Sequence, residues 1–171
     1  MKLTKRLLAM ALAGVMLLTI LTGCGGGKSG DRLAEEYMAT LLSESYNNIP
    51  ITHDVPEIKA VADNFKASWL KDTGSWAFSP LDNPLKEDYK ALRNIFAGYQ
   101  GRYSVSLYAC EVDSKRSELD QTMRVVSTMH SGLSVYPHFG TPTAAKCATR
   151  LVTSEGKSYR IVVLIYDYPV D

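Results

Sequence analysis

The stretch that decides the fold is "RLVTSEGKSYRIVVLIY", residues 150–166. Two runs rich in strand-forming residues, 147–153 and 158–166, flank the segment "SEGK", which has the composition of a tight turn. This arrangement predicts a β-hairpin. The second run, "RIVVLIY", is apolar at consecutive positions, so we expect its strand to be buried on both faces and to lie in the middle of a sheet.

Four segments upstream of the hairpin have apolar residues three or four positions apart, the periodicity of amphipathic helices. They are residues 31–46, 55–71, 84–98 and 117–129. Residues 103–112 alternate in part and predict one more strand. Helices that precede a terminal hairpin indicate the α+β class, with three or four helices packed on a mainly antiparallel sheet.

Local signals indicate where two of these helices begin and which side of one faces the core. Asp54 is expected to cap the second helix and Ser117 the fourth. Short side chains with an oxygen atom accept hydrogen bonds from the free backbone N–H groups of the first helical turn. In the fourth helix, the spacing predicts an inward stripe of Leu119, Met123 and Val126.

The N-terminus has the pattern of a secretory signal. Three basic residues in the first six precede an apolar run, 7–21, which is shorter than the roughly 20 residues of a transmembrane helix. The run closes with "LTGC", residues 21–24, which resembles the lipobox of bacterial lipoproteins. In that family the cysteine thiol is acylated with diacylglycerol, carrying fatty acids such as palmitate, and the signal is cut before it. An ordinary signal peptide with an incidental cysteine is the alternative.

The lipobox resemblance sets the domain organisation and the location. It implies a signal peptide over 1–23, a glycine-rich tether over 24–30, and a single domain over 31–171. Lipidated Cys24 then holds the protein on the extracytoplasmic face of the cell membrane. The mature chain of 148 residues (171 minus 23) is long enough for one sizeable core.

Charge argues against a nucleic-acid partner. The chain has 19 basic and 18 acidic residues, and the signal contains three of the basic ones, which leaves 16 against 18 in the mature protein. Nucleic-acid-binding domains carry a concentrated basic face. We expect no nucleic-acid partner and a membrane partner through the lipid alone.

Two cysteines remain, Cys110 and Cys147, both within segments predicted to be strands. An exported protein can form a disulfide, so a cross-strand bridge is one interpretation. Two buried thiols acting as small apolar side chains are the other. The chain has no C-x-x-C motif or close histidine pair, so neither a metal site nor a cofactor is predicted.

The second half resembles the CAP superfamily of SCP-like extracellular proteins. In that family a helix ends in Ser-x-x-His, Pro-x-Phe follows, and a hairpin closes the domain. The matching positions here are Ser127, His130, Pro137, Phe139 and the hairpin turn 156–159. The resemblance covers residues 54–166 and implies an αβα sandwich with a ligand cleft.

The family's metal site is not matched. It uses two histidines and acidic groups, but the first histidine would fall at 64–66, where the chain reads Asn-Phe-Lys. The family glutamate would fall at about Ser106, and its tryptophan at Arg124. His130 is then the one matching member of the constellation, and zinc requires about three protein ligands.

Two residues remain as weak catalytic candidates. His130 could act as an acid or base beside Ser127, which shares its helix face. His130 could equally interact with the last carbonyls of that helix, a favourable position for a cation. "HSGLS" lacks the G-x-S-x-G arrangement of a serine hydrolase.

Aromatic residues indicate binding more than chemistry. Tyrosines are concentrated in "GYQGRY" (98–103), "VYPHF" (135–139) and "YDYPV" (166–170). Exposed rings beside polar loops suit stacking on sugars or gripping of peptide segments, although core rings are the plain alternative. Trp76, Tyr136 and His138 are the candidate ligand-binding residues.

The sequence therefore predicts a membrane-anchored extracytoplasmic lipoprotein whose CAP-like domain is a non-catalytic binding module for an envelope glycan or peptide. Two alternatives stay open. One is a hydrolase of peptide or cell-wall material that uses His130 as its acid or base. The other is a structural subunit of an envelope complex.

Overall fold

The computed structural model describes residues 30–45, 48–70, 75–78, 90–99, 101–132 and 141–169. Within these residues the chain forms four α-helices, a short 3₁₀ turn at Ala67–Trp69 and five strands. The helices are α1 (Gly30–Ser45), α2 (Ile58–Asn64), α3 (Lys90–Ile95) and α4 (Glu118–Gly132). The strands are β1 (Ile51–Thr52), β2 (Ser75–Phe78), β3 (Tyr103–Val112), β4 (Ala144–Ser154) and β5 (Lys157–Asp167). The predicted α+β class is confirmed.

The strands form one sheet in the order β1-β4-β5-β3-β2. The pairings of β5 with β3 and β4, and of β2 with β3, are antiparallel, and only the two-residue β1 is parallel to its neighbour β4. The mainly antiparallel sheet and the central position of "RIVVLIY" are therefore both confirmed.

The hairpin closes through Glu155 and Gly156, between the paired residues Ser154 and Lys157. Both turn residues have positive φ, 52° and 75°. A two-residue type I′ loop requires this left-handed backbone, whose twist matches that of the flanking strands. The sequence prediction of the turn at "SEGK" is confirmed.

Helices cover both faces of the sheet. One core joins Val162 and Leu164 of β5 to side chains of α1 and α4, such as Met38 and Met129. The other joins the alternate residues of β5, such as Ile161, to side chains of α2 and α3. Because successive side chains of a strand point to opposite faces, the uninterrupted apolar run of β5 fills both cores.

The predicted helix over 55–71 is wrong in its length and in its cap. α2 ends at Asn64, and the helix is preceded by Glu57 with no side-chain cap, so Asp54 does not cap it. Phe65 leaves the helix with extended backbone, and its ring then lies 5.3 Å from the ring of Tyr159 and 5.9 Å from that of Trp69. Aromatic contacts with the sheet replace the last predicted turns.

In α4 the cap is confirmed and the inward stripe is corrected. Ser117 Oγ accepts a hydrogen bond from the backbone N–H of Asp120 at 3.2 Å. Met123, however, is 45% exposed, because the buried stripe passes through Gln121 and Thr122 instead. The side chains of Gln121 and Thr122 donate hydrogen bonds to the backbone oxygens of Arg116 and Glu118. The spacing of apolar residues alone does not predict such buried polar positions.

The acidic side of α1 lies along the free edge of β4. Beyond the two residues paired with β1, the N–H of Leu151 donates to Asp31 at 2.9 Å and that of Thr149 donates to Glu35 at 3.3 Å. Carboxylates thus take the place of a further strand, and the helix protects an edge that would otherwise expose its ladder groups.

Of the predicted helix over 84–98, residues 84–89 lie outside the described part. The described portion is α3, from which Leu92 points into the core, and Phe96 follows it there; both are fully buried. Among the described residues, none of the helices combines the length and the apolar character needed to span a bilayer.

Candidate functional site

Of the two catalytic candidates, Ser127 is the one whose side chain the structure describes. Ser127 lies on the exposed side of α4, and its Oγ donates to the backbone oxygen of Arg124 at 2.7 Å. The Ser127 hydroxyl thus has a hydrogen-bond acceptor within its own helix. His130 lies in the same helix, and its side chain is outside the described part of the structure.

The remaining candidates are only partly placed. Trp76 lies in β2, where it pairs with Ala109 of β3, and its side chain is not among those described. Tyr136, His138 and the lipidation residue Cys24 lie outside the described residues.

A disulfide between Cys110 and Cys147 is not formed; both are free and buried. Cys110 pairs with Arg160, and Cys147 pairs with Leu164 on the other side of β5. The cysteines are therefore separated by about 9.5 Å across two strand spacings and by about 13 Å along the strands. A disulfide needs Cα atoms within about 7 Å, so the interpretation as two buried thiols is the right one.

Burial makes both thiols unreactive. It raises the pKa of Cys110 to about 11, and burial followed by the nearby Glu35 carboxylate raises the pKa of Cys147 to about 12. Since the thiolate is the nucleophilic form, both cysteines are weak nucleophiles at neutral pH.

Two of the three tyrosine-rich segments meet at one end of the sheet. Tyr103, which begins β3, pairs with Asp167, which ends β5, and the backbone N–H of Tyr168 donates to the oxygen of Arg102 at 3.1 Å. Tyr166 and Tyr168 point into the core and are nearly fully buried. For these two rings the core interpretation is correct.

Arg102 connects the two segments through a two-point ion pair. Its Nε and Nη2 each lie 3.0 Å from one of the two carboxylate oxygens of Asp167. Nη2 also donates to the hydroxyl of Tyr103 at 3.0 Å, while the guanidinium carbon lies 5.0 Å from the centre of that ring. This fork geometry fixes the planes of the guanidinium and the carboxylate, which a single contact does not do.

A second ring stands at right angles to the first. Tyr99 and Tyr103 have ring centres 5.6 Å apart at 85°, the edge-to-face arrangement that aromatic quadrupoles favour. The hydroxyl of Tyr99 donates to Glu57 Oε1 at 3.1 Å. Burial and this hydrogen bond raise the pKa of Tyr99 to about 12, so the phenol stays protonated.

We call the group Tyr99, Arg102, Tyr103 and Asp167 the tyrosine platform. The Arg102 and Asp167 side chains remain 46% and 28% exposed, and both rings are partly exposed. The platform places ring surface beside a fixed cation and a fixed anion, which are groups that can stack on a planar ligand and form hydrogen bonds with hydroxyls. Glu57 Oε2, behind Tyr99, is buried and has no hydrogen-bond partner in the described part of the chain.

A second polar group, which sequence reasoning missed, lies at the other end of β5. The Arg160 side chain is only 2% exposed; its Nη1 lies 2.6 Å from Asp31, and its Nε and Nη2 donate to Gln121 at 3.2 and 2.7 Å. The guanidinium does not reach solvent and its contacts lie within the protein, so its role is to join α1 and α4 to the sheet. The arginine that begins the apolar run "RIVVLIY" is the sequence signal that could have indicated this buried polar group.

No group of three or more histidine, cysteine or acidic side chains suited to a metal occurs among the described residues. In comparisons with known proteins, no family model, curated protein or solved structure matches this chain.

Proposed function

We propose that the protein is a lipid-anchored extracytoplasmic domain that binds an envelope glycan through the tyrosine platform. The observation that carries the proposal is the fixed grouping of two perpendicular tyrosine rings with the two-point Arg102–Asp167 pair. The anchor rests on the "LTGC" motif after an apolar run, residues 21–24.

The chemistry of the platform favours a sugar. The C–H face of a pyranose packs on an aromatic ring, while its hydroxyls accept from a guanidinium and donate to a carboxylate. Because the ion pair already holds both polar groups in one plane, little side-chain entropy is lost on binding. Peptide segments offer fewer hydroxyls for this pattern.

The binding test uses soluble N-acetylglucosamine oligomers as the probe, followed by calorimetry or NMR titration. Tyr103→Ala removes the ring and is expected to weaken binding by about tenfold, which corresponds to ~1.4 kcal/mol. Tyr103→Phe keeps the ring and should retain most of the affinity. Arg102→Ala should weaken binding by a similar factor.

The matched control is Lys157→Ala. Lys157 forms an exposed ion pair with Glu111 at 2.8 Å, at the opposite end of β5, and its loss should leave binding unchanged. Equal loss in the control and in Arg102→Ala, or binding of peptides in preference to sugars, would contradict the glycan proposal.

The anchor is tested separately by mass spectrometry of the N-terminal peptide. We expect a diacylglyceryl group on Cys24 and release of the protein from membranes in Cys24→Ser. An unmodified cysteine would refute the anchor without affecting the platform.

We also infer that the domain is an αβα sandwich of the CAP type whose metal site is not functional. Supporting features are the helices on both faces of the sheet and the position of Ser127 and His130 on a helix that precedes the hairpin. At one position of the family's site, Asn64 instead donates to the backbone oxygen of Ala60 at 2.8 Å. Equilibrium dialysis should show no stoichiometric zinc uptake; uptake that disappears in His130→Ala would contradict this inference.

A further inference from the structure

We infer that the hairpin-turn end of the sheet faces the membrane and that the tyrosine platform faces away from it. Its ligand is then presented from the wall or the medium and not by lipid headgroups. This inference deepens the proposed function and rests on its lipid anchor.

The start of α1 has a fixed position at the turn end of the sheet. Asp31 accepts from Arg160 and from the backbone N–H of Leu151, both near the hairpin turn. Gly30 lies close to the start of α4, since a Cβ built on it would be 2.5 Å from Glu118 Oε1. These contacts hold the point where the chain enters the domain at the turn end of the sheet.

The predicted tether is short. Six residues along the chain (30 minus 24) lead from Cys24 to Gly30. Fully extended, six residues span at most about 22 Å. A lipid on Cys24 therefore keeps the turn end of the domain within about 22 Å of the bilayer surface.

The platform lies at the opposite end of β5 from the entry point. Asp167 is seven residues along β5 from Arg160 (167 minus 160), in the direction away from the turn. A strand of that length covers about 23 Å. The platform thus lies beyond the entry point by about the full reach of the tether, so most orientations of the tethered domain place it farther from the bilayer than the turn end.

The test measures the depth of two fluorescent labels on the full-length lipidated protein bound to phosphatidylcholine vesicles that contain headgroup-quencher lipid. Ser114→Cys marks the turn end, since this exposed residue follows the end of β3. Gly98→Cys marks the platform end; it is exposed beside Tyr99, and a Cβ there meets nothing within 4 Å. The native thiols, Cys110 and Cys147, are buried and do not take up label.

We expect the label at Ser114→Cys to lose most of its fluorescence and the label at Gly98→Cys to keep nearly all of it. Equal quenching of the two labels, or stronger quenching at Gly98→Cys, on protein shown to be lipidated would overturn the orientation while leaving the anchor intact. Protein that stays off the vesicles and has an unmodified Cys24 would overturn the anchor, and the orientation with it. Sugar binding by the platform is measured independently of both.

Discussion

Replacing Asp31 by alanine should destabilise the protein far more than its surface position suggests. Asp31 is 36% exposed, but its partner Arg160 is 2% exposed, and the two lie 2.6 Å apart. The same carboxylate oxygen accepts from the backbone N–H of Leu151 at 2.9 Å. Asp31→Ala therefore leaves a buried cation with one partner fewer and an edge-strand N–H without its acceptor.

The magnitude follows from these two losses. A hydrogen bond to a charged group contributes about 1.5–3 kcal/mol, and an unsatisfied backbone N–H costs about 1–3 kcal/mol. Breaking a fully buried pair costs about 3–5 kcal/mol. Water can reach the partly exposed position of Asp31 and replace some of the lost hydrogen bonds. We therefore expect a net destabilisation of about 2–4 kcal/mol.

Urea unfolding followed by far-ultraviolet circular dichroism measures this change. With a urea dependence of about 2 kcal/mol/M, the midpoint should fall by about 1–2 M. Asp31→Asn retains an oxygen acceptor for both donors, so its midpoint should lie between wild type and Asp31→Ala.

Glu111→Gln is the control, because it removes a carboxylate from the exposed Lys157 pair, whose side chains are 58% and 40% exposed. Exposed ion pairs contribute little, so its midpoint should stay near wild type. If Asp31→Ala and Glu111→Gln shifted the midpoint equally, the argument from the buried guanidinium would be refuted.

Three further predictions concern the turn, the thiols and the platform. Gly156→Ala should lower the unfolding free energy, measured by heat or urea, by about 1–2 kcal/mol, because Gly156 has a φ of 75°. Gly98→Ala is the control and should leave the unfolding free energy nearly unchanged, because a Cβ at Gly98 meets nothing within 4 Å. Equal effects of the two substitutions would contradict the turn assignment. At pH 8 a thiol reagent should not modify Cys110 or Cys147 in the native protein. In guanidinium without reductant it should modify both, and a thiol that stays unmodified there would indicate a disulfide. The pKa of Tyr99 is raised from 10.0 to about 12, so between these pH values the protein releases the phenol proton when it unfolds. The contribution of Tyr99 to the unfolding free energy is therefore intact below pH 10 and is lost as the pH rises to 12. Tyr99→Phe should flatten the fall of the unfolding free energy between pH 10 and 12, and an unchanged slope would count against the raised pKa.

Local patterns predicted the elements whose signal lies within a few residues. The turn at "SEGK" and strand β3 match their predicted positions, and Ser117 caps α4 as expected. The errors occur where long-range contacts compete with periodicity. Phe65 leaves its helix to reach Tyr159, and Met123 faces solvent because Gln121 points inward to Arg160.

The sequence predicted the segments that form the platform, but not that they meet. Sequence alone indicated that tyrosines in "GYQGRY" and "YDYPV" could bind a ligand, and the apolar run placed β5 at the centre of the sheet. The meeting of the two segments depends on the pairing of Tyr103 with Asp167 across two strands. A shift of one residue in this register would turn the side chains to the other face.

The sequence by itself determined the class of fold, the hairpin and its turn, because these depend on spacings of two to four residues that neighbouring side chains impose directly. Only the tertiary structure decided that Arg160 binds Asp31, 129 residues away, and that Cys110 and Cys147 stay apart on either side of β5. Such contacts depend on strand register and on how helices dock against the sheet. Both are set by the packing of the two cores as a whole, which no local stretch of residues encodes.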